Sequence, residues 1–279
     1  MTDSDFKIPE SVHRTFKAYY SKEAVLYEIV KYSKNREVAF IGEGRVRGIM
    51  AHAVRYLVSN FKAFRVGDKY YNMYHSVALL DGLTAMSYVP KLRKVQLDEY
   101  SNNFDSMAIG YDFVLDFDGK LADSEKITVT ELAKKDCEKV KSVLDELNIE
   151  YSLKFSGSGF HIVVKNKTLG FENSKFNVQI AAESCRLIAE SMIKTLRLKT
   201  LDTSIYDKRR IWKLPYSMDI KTGRIALPLT DNEFRGFETD MADPESERFI
   251  DSIRPPEYFV RNMNKEEAGK LFRVFVQNE

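Results

Sequence analysis

Two aspartates two residues apart interrupt an apolar segment of this 279-residue chain, Phe113-Val-Leu-Asp-Phe-Asp-Gly119. The segment is typical of a buried strand, where side chains two apart point to the same face, about 6.6 Å apart along the strand. Carboxylates are costly to bury unless cations, hydrogen bonds or water meet them, and paired carboxylates suit a divalent metal ion. The alternative is a strand end whose acids, Asp116 and Asp118, face solvent before the turn at Gly119.

A short loop of serines and glycines, Ser156-Gly-Ser-Gly159, separates two strand-like runs at Tyr151–Phe155 and Phe160–Val164. Small residues let backbone N–H groups approach an anion closely, and the serine hydroxyls can donate to phosphate. The same loop also suits a plain hairpin turn. His161 lies on the opposite face of its strand from the apolar residues beside it, so it is either a structural histidine or part of a site.

Basic residues crowd into the segment between residues 194 and 224, against few acidic ones. Solvated surface charge would explain the excess. However, Ile211, Trp212 and Leu214 are interleaved with it, so part of the segment must be packed. Ordered lysines and arginines in a partly buried segment favour phosphate recognition.

The elements that must position these residues follow from hydrophobic periodicity. We predict helices at residues 11–33 with a break at Ser21, 49–61, 132–147 after a capping box at Thr128–Glu131, 174–196 and 264–277. We predict strands within residues 64–80, around a turn at Gly67-Asp68, and at residues 108–118, 151–155, 160–164 and 224–229. The pattern indicates an α/β (α+β) protein in which helices flank a central, mainly antiparallel or mixed sheet that carries the acids. Asp112 has the same strand parity as Asp116 and Asp118, and we expect it to support the metal ligands from behind or to have a structural role, but not to bind metal.

Composition excludes several classes of protein. The 43 basic and 41 acidic residues give a net charge of +2, so global charge identifies no partner. No apolar run approaches the roughly 20 residues needed to cross a bilayer, and the N-terminus lacks the features of a signal peptide. We expect an intracellular protein, cytoplasmic or nuclear according to its source, with no membrane association. Cys137 and Cys185 have no partners at metal-ligand spacing, so no structural zinc is expected.

Taken in order, these segments resemble the catalytic small subunit of archaeal and eukaryotic DNA primase, within the archaeo-eukaryotic primase superfamily. The matching motifs are Asp116-x-Asp118, Ser156-Gly-Ser-Gly-Phe-His161, Leu201-Asp202, Lys213-Leu-Pro-Tyr-Ser217 and Lys221-Thr-Gly-Arg224. Phe16–Ser21, Arg36–Phe40 and Tyr74–Ala78 are similar to the N-terminal landmarks of that family. The resemblance covers roughly residues 14 to 235, and the ordered set is more specific than any one motif.

The resemblance implies template-directed primer synthesis from nucleoside triphosphates, with two Mg²⁺ or Mn²⁺ ions at the reaction centre. It implies a single-stranded DNA template, a large primase subunit as partner and a single catalytic domain over residues 1–279. Asp116, Asp118 and Asp202 would be the metal ligands, with Asp207 a rival for the third position. The residues implied in binding the triphosphate are Ser156, Ser158, His161, Lys213, Ser217 and Lys221, while Arg209 and Arg210 would hold either phosphate or template.

Three departures separate the chain from the family pattern. Asp219 replaces the histidine of the Ser-x-His-x-Lys segment, which weakens the triphosphate site or means that this side chain turns away. Ser158 stands where many relatives carry arginine, and the cysteines of the zinc knuckle are missing, so no such insertion is expected. These features suggest a pared-down catalytic core, from an archaeon or an archaeal mobile element. Two alternatives stay open: a repair polymerase that only extends primers or fills gaps, and an inactive module that binds single strands.

Overall fold

The computed structural model describes residues 15–16, 18–42, 45–49, 71–82, 100, 102–118, 129–169, 176–246 and 270–276. Its strands there are β1 (Val38–Gly42), β2 (Arg45–Ile49), β3 (Tyr71–Ser76), β4 (Ala78–Leu80), β5 (Ala108–Tyr111), β6 (Phe113–Phe117), β7 (Ser152–Phe155), β8 (Phe160–Val164), β9 (Ile211–Lys213) and β10 (Pro228–Leu229). Its helices are α1 (Glu23–Tyr32), α2 (Phe104–Met107), α3 (Val129–Glu146), α4 (Asn166–Leu169), α5 (Val178–Leu196), α6 (Asp231–Arg235) and α7 (Lys270–Phe275), with a 3₁₀ turn at Thr239–Ala242.

The described strands form two four-stranded sheets and one separate pair. The first sheet has the order β2-β1-β3-β9, the second has the order β10-β7-β8-β6, and β4 pairs with β5. Every pairing between the described strands is antiparallel. The predicted fold class, a mixed α/β protein with mainly antiparallel strands, is confirmed, although the strands divide between two sheets instead of one central sheet.

The acidic pair lies at the end of the second sheet, with Asp116 in β6 and Asp118 directly after it, and both β6 and its neighbour β8 are almost wholly apolar. All five residues of β8 are buried, and on β6 only Asp116 is partly exposed. Helix α3 packs against β8 and β6, and helix α5 against β5 and β6, through apolar stripes to which Val140 and Ile188 contribute. Trp212, on β9 of the first sheet, lies against β7 and β8 of the second. The two sheets therefore enclose a layer of side chains between them.

Most predicted elements are present, with shifts that have local causes. The strand predicted at 108–118 is split at Asp112, a buried residue that forms an ion pair with Arg36 and accepts a hydrogen bond from the backbone N–H of Asn166 (3.0 Å). The helix predicted from residue 174 begins at Val178, because Asn177 caps the N–H groups of the next turn. The strand predicted at 224–229 is reduced to β10. Asp112 is thus a structural residue, as predicted.

Several predictions fall wholly or partly outside the described residues. These are the helix at 49–61, the part of the strand region at 64–80 before residue 71, the ends of the helices at 11–33 and 264–277, the first residues of the helix at 174–196, the turn at Gly119 and the capping residue Thr128. Within the predicted terminal helices, α1 and α7 are observed, and the chain leaves helical geometry at Ser21 and Lys22 as expected. No helix in the described part of the chain is long and apolar enough to span a membrane.

Candidate active site

Asp116 and His161 lie directly opposite each other on the neighbouring strands β6 and β8. Nε2 of His161 is 3.0 Å from Oδ1 of Asp116. Burial raises the pKa of Asp116, but His161, Lys154 and Arg210 outweigh that effect, so the pKa lies below its usual value. Burial lowers the pKa of His161 more than Asp116 raises it. At neutral pH the pair is therefore a carboxylate beside a neutral imidazole.

The third predicted aspartate reaches the same strand end through backbone pairing. Leu201 forms an antiparallel bridge with Phe117, and the N–H of Asp202 donates to the carbonyl of Asp116 (2.9 Å). The N–H of Asp118 donates in turn to the carbonyl of Thr200 (3.1 Å). Residues 200–202 thus act as a further extended segment beside the end of β6. The structure brings Asp116, Asp118 and Asp202 to one edge of the second sheet.

The carboxylates at this edge offer the oxygen ligands that Mg²⁺ and Mn²⁺ prefer. Oδ1 of Asp116 is buried and faces Nε2 of His161, whereas Asp118 is exposed. Oδ1 of Asp202 accepts the backbone N–H of Ser204 (2.7 Å), which turns this carboxylate toward its own loop. Within the described residues, no three His, Cys, Asp or Glu side chains already converge on one point. A metal held by all three would require the Asp202 side chain to rotate.

A buried carboxylate on α3 holds the Asp202 segment in place. Asp136 accepts the backbone N–H groups of Lys199 (2.6 Å) and Thr200 (2.9 Å) and the hydroxyl of Thr200 (3.0 Å). Burial raises its pKa, but these donors and the Lys139 ammonium together lower it below the usual value. Asp136 was not predicted, because an aspartate within a helix gives no signal of a partner that lies sixty-odd residues away.

The loop at residues 156–159 packs directly on the end of β6. A Cβ on Gly159 would lie 2.3 Å from the carbonyl oxygen of Phe117, so only glycine fits there. Gly157 has φ = +105°, which a side chain would strain. Ser156 is buried, and its Oγ accepts the N–H of Gly159 (3.0 Å). The exposed Ser158 is therefore the serine of this loop that is presented to solvent, near the aspartates.

The second predicted phosphate-binding segment packs on the other side of the same loop. The hydroxyl of Thr222 is 3.3 Å from the carbonyl oxygen of Gly157, to which it donates, and a Cβ on Gly157 would meet the Cβ of Asp219 at 2.9 Å. Lys221 is exposed beside this contact. The loop and the turn at residues 219–223 thus adjoin, as a shared phosphate site would require.

Two of the predicted phosphate contacts in this segment are already engaged within the protein. The ammonium of Lys213 forms an ion pair with Asp219 and donates to Oδ1 of Asn72 (2.9 Å). Burial lowers the pKa of Lys213, an effect that Asp219 only partly offsets. Ser217 is fully buried, and its hydroxyl donates to the carbonyl of Leu214 (2.6 Å). Asp219 has not turned away, and it neutralises the lysine that the resemblance assigns to the triphosphate.

Arg209 and Arg210, the arginines expected to hold phosphate or template, contact other parts of the protein. Arg210 donates to the carbonyls of Ser204 (2.7 Å) and Ile205 (2.8 Å), which braces the loop after Asp202. Arg209 lies over the rings of Tyr100 and Phe104 and is 3.7 Å from the carboxylate of Glu37.

Asp207, the rival third carboxylate, accepts the backbone N–H of Arg209 (2.9 Å) and pairs with Arg210 (3.0 Å). These are contacts within its own loop. Asp202 is the aspartate whose backbone is hydrogen-bonded to Asp116, so the geometry favours Asp202 over Asp207 as the third member of the site.

A buried lysine beside the site was missed from the sequence. Lys154 lies opposite His161 on β7, so Asp116, His161 and Lys154 form a row across three strands. The ammonium of Lys154 is 3.6 Å from the centroid of the Trp212 ring and donates to the carbonyl of Lys213. Burial lowers the pKa of Lys154 well below its usual value, although Asp116 opposes the shift. The hairpin register could have revealed Lys154, because a tight loop at residues 156–159 places it opposite His161.

Comparison with proteins of known structure identifies the class of fold. Over 98% of this chain and 93% of the other, the structure matches the polymerase domain of Mycobacterium tuberculosis ligase D, solved in complex with DNA, with a TM-score of 0.51 and 12% sequence identity. The fold is therefore that of a polymerase domain. No family model matches the sequence.

Comparison with curated proteins identifies the relatives more closely. The DNA primase small subunit PriS of Pyrobaculum arsenaticum is 25% identical over 266 residues, covering 80% of this chain and 78% of the relative. PriS of Pyrobaculum calidifontis is 26% identical over 164 residues, and the match spans about half of that protein (53%) and 44% of this chain. The predicted resemblance to the primase small subunit, and with it to the archaeo-eukaryotic primase superfamily, is confirmed.

Proposed function

We propose that the protein is a nucleotidyltransferase that copies a single-stranded DNA template, and that it makes short primers from nucleoside triphosphates. The observation that carries the proposal is the hydrogen bond between Asp202 and the backbone of Asp116, which brings a third aspartate beside the acidic pair. A module that only bound nucleic acid would gain nothing from three carboxylates near a phosphate backbone, because like charges repel. The relation to primase small subunits supports the same class of reaction.

Asp116, Asp118 and Asp202 would hold two Mg²⁺ or Mn²⁺ ions. Such ions stabilise the attacking and the leaving oxygens when a 3′-hydroxyl displaces pyrophosphate from an α-phosphate. Asp116 is suited to this role because its lowered pKa keeps it ionised at neutral pH, without a proton to lose. The neutral His161 keeps the buried end of that carboxylate in a fixed orientation.

The incoming triphosphate would lie against the loop at residues 156–159 and the adjoining turn at 219–223. Ser158 and the ammonium of Lys221 are the exposed donors there. Lys213 would contribute little charge, because Asp219 already pairs with it. We therefore expect weaker binding of the triphosphate than a site with an uncompensated Lys213 would give.

De novo synthesis on a single-stranded template with labelled nucleotides tests the proposal. The wild type should yield short products with Mg²⁺ or Mn²⁺, and Asp116→Ala and Asp118→Ala should yield none. Asp145→Ala, which removes an exposed aspartate at the far end of α3, is the matched control and should retain activity. A wild type without product under either metal, with or without a large subunit, would contradict the primase role.

The same assay separates the two alternatives. Products formed only from pre-annealed primers would identify a polymerase that extends primers or fills gaps. This is the second candidate function, and the fold shared with a ligase polymerase domain favours it. Metal-independent binding of single strands with no incorporation would identify an inactive binding module. A large primase subunit is the proposed partner, and we expect it to raise the yield of de novo products more than the yield of primer extension.

A further inference from the structure

A cavity of about 190 Å³ lies between the two sheets, beside the C-terminal end of α1. Its walls come from α1, from β7 and β8 of the second sheet and from β9 of the first. None of the three aspartates of the candidate active site lines it. The cavity is therefore a separate feature on the far side of Lys154 and Trp212, which border both regions.

The lining of this inter-sheet cavity combines apolar residues with several basic side chains, Lys31, Lys34, Arg36, Lys154 and Lys165. Among the described residues of the lining, Asp112 is the single acidic one; its carboxylate pairs with Arg36 and accepts a hydrogen bond from the N–H of Asn166. Burial lowers the pKa of Lys154 well below its usual value. The proposed site therefore relies on the ammonium groups of Lys31 and Lys34, and Glu28 is 3.8 Å from that of Lys31, too far for a strong ion pair.

The aromatic side chains of the cavity are buried donors. Trp212 stacks on His75, with ring centroids 4.9 Å apart. Nε1 of Trp212 is buried and has no hydrogen-bond partner among the described residues. The His75 imidazole interacts with the backbone of Tyr32, which takes up the one N–H that a neutral imidazole carries. An indole N–H can only donate, and buried polar groups in proteins are normally satisfied, so Nε1 of Trp212 indicates a partner that supplies an acceptor oxygen.

The pKa of His75 responds to the same basic side chains. Burial lowers this pKa well below the usual value, and the positive charges of Arg36 and Lys154 lower it further. The His75 imidazole is therefore neutral and adds no positive charge to the cavity.

The size of the cavity restricts the anion. Pockets for drug-sized ligands usually occupy about 300–1,000 Å³, and this one is smaller. We propose that the inter-sheet cavity binds a compact inorganic phosphate anion, phosphate or pyrophosphate, through its lysines and the indole N–H of Trp212. The site stands on its own donors and charge, so it does not depend on the proposed nucleotidyl transfer.

The chain contains one tryptophan, which provides a direct readout because that residue lines the cavity. Pyrophosphate titrated in EDTA, which excludes metal-dependent binding, should give a saturable change in Trp212 fluorescence. The double variant Lys31→Gln, Lys34→Gln should weaken this binding about tenfold, because it removes two charged donors from the lining. Lys135→Gln, at an exposed lysine of α3 outside the lining, is the matched control and should leave the affinity unchanged.

Further arms of the titration locate the site and identify its ligand. Lys221→Gln should not change the affinity, because Lys221 belongs to the triphosphate site. A nucleoside triphosphate should bind more weakly than pyrophosphate under the same conditions. The proposal is overturned by an equal fluorescence change with sodium chloride at matched ionic strength, by tighter binding of the nucleotide, or by binding that Lys221→Gln weakens and the double variant does not. Thermal unfolding of each variant confirms that the fold persists, and none of these outcomes depends on primer synthesis.

Discussion

The two halves of the candidate active site, the aspartate edge and the phosphate side, are built in different ways. At the aspartate edge, strand pairing and backbone hydrogen bonds place Asp116, Asp118 and Asp202 together. On the phosphate side, Lys213 and Ser217 have the expected positions in the chain, but their polar groups are bound by other residues of the protein. The aspartate edge could be predicted from the order of the motifs, because backbone pairing places its residues. The phosphate side could not, because other side chains of the protein compete for its polar groups.

The aspartate edge gives the largest expected effect. Asp116→Asn should abolish nucleotide incorporation, because a neutral amide cannot replace an anionic metal ligand, while the fold stays intact. Incorporation assays across a range of metal concentrations and a thermal unfolding curve measure the two properties. Near-normal activity at saturating metal would show that Asp116 is not a ligand.

Asp136 tests whether the third aspartate depends on its support from α3. Asp136→Asn should lower the free energy of unfolding by about 2–3 kcal/mol, because backbone N–H groups lose a charged acceptor. It should also reduce activity through displacement of Asp202. Denaturant unfolding and incorporation assays measure both effects. A variant with normal stability would contradict the role assigned to Asp136.

The pH dependence of stability provides a second test of Asp136. Its pKa is lower in the folded protein than in the unfolded chain, so the stabilisation is fully present above the unfolded pKa, about 3.9, and is lost as pH falls through the folded value. Below about pH 4, the wild type should therefore lose stability more steeply than Asp136→Asn. Parallel curves for the two proteins would contradict this linkage.

The phosphate side should respond in the opposite direction from the aspartate edge. Asp219→Asn frees the Lys213 ammonium, so the KM for nucleoside triphosphate should fall about threefold to tenfold, at a cost in stability of roughly 1–3 kcal/mol from the broken, largely buried ion pair. Steady-state kinetics measure the KM, with Asp145→Asn as the control. An unchanged or higher KM would mean that Lys213 does not face the triphosphate.

The row of Asp116, His161 and Lys154, which lies between the two halves of the site, gives the smallest expected effect of a substitution. Lys154→Met removes a buried cation that lowers the pKa of His161, so that pKa should rise. NMR titration of the His161 ring follows the change, and Lys141→Met, at a distant lysine on α3, should leave it unaltered. A fall in the pKa of His161 would contradict the row of charges inferred across the three strands.

Local pattern was sufficient to predict the strands β6, β7 and β8, the long helices α3 and α5 and the structural role of Asp112. It also predicted the order of motifs by which the chain resembles primase small subunits. These features depend on alternation, capping and residue type, which are properties of neighbouring residues. The division into two sheets was not predicted, because the sequence of a single strand does not show which distant strand it pairs with.

The sequence by itself determined which residues could do the chemistry: Asp116, Asp118 and Asp202, with a serine-glycine loop between them in the chain. Only the tertiary structure decided which of the expected side chains are available. It joined Asp202 to the carbonyl of Asp116, paired Lys213 with Asp219, and enclosed Lys154 under Trp212. The physical reason is that a polar side chain takes whichever partner the fold brings within reach, and those partners lie tens of residues away or on the other sheet.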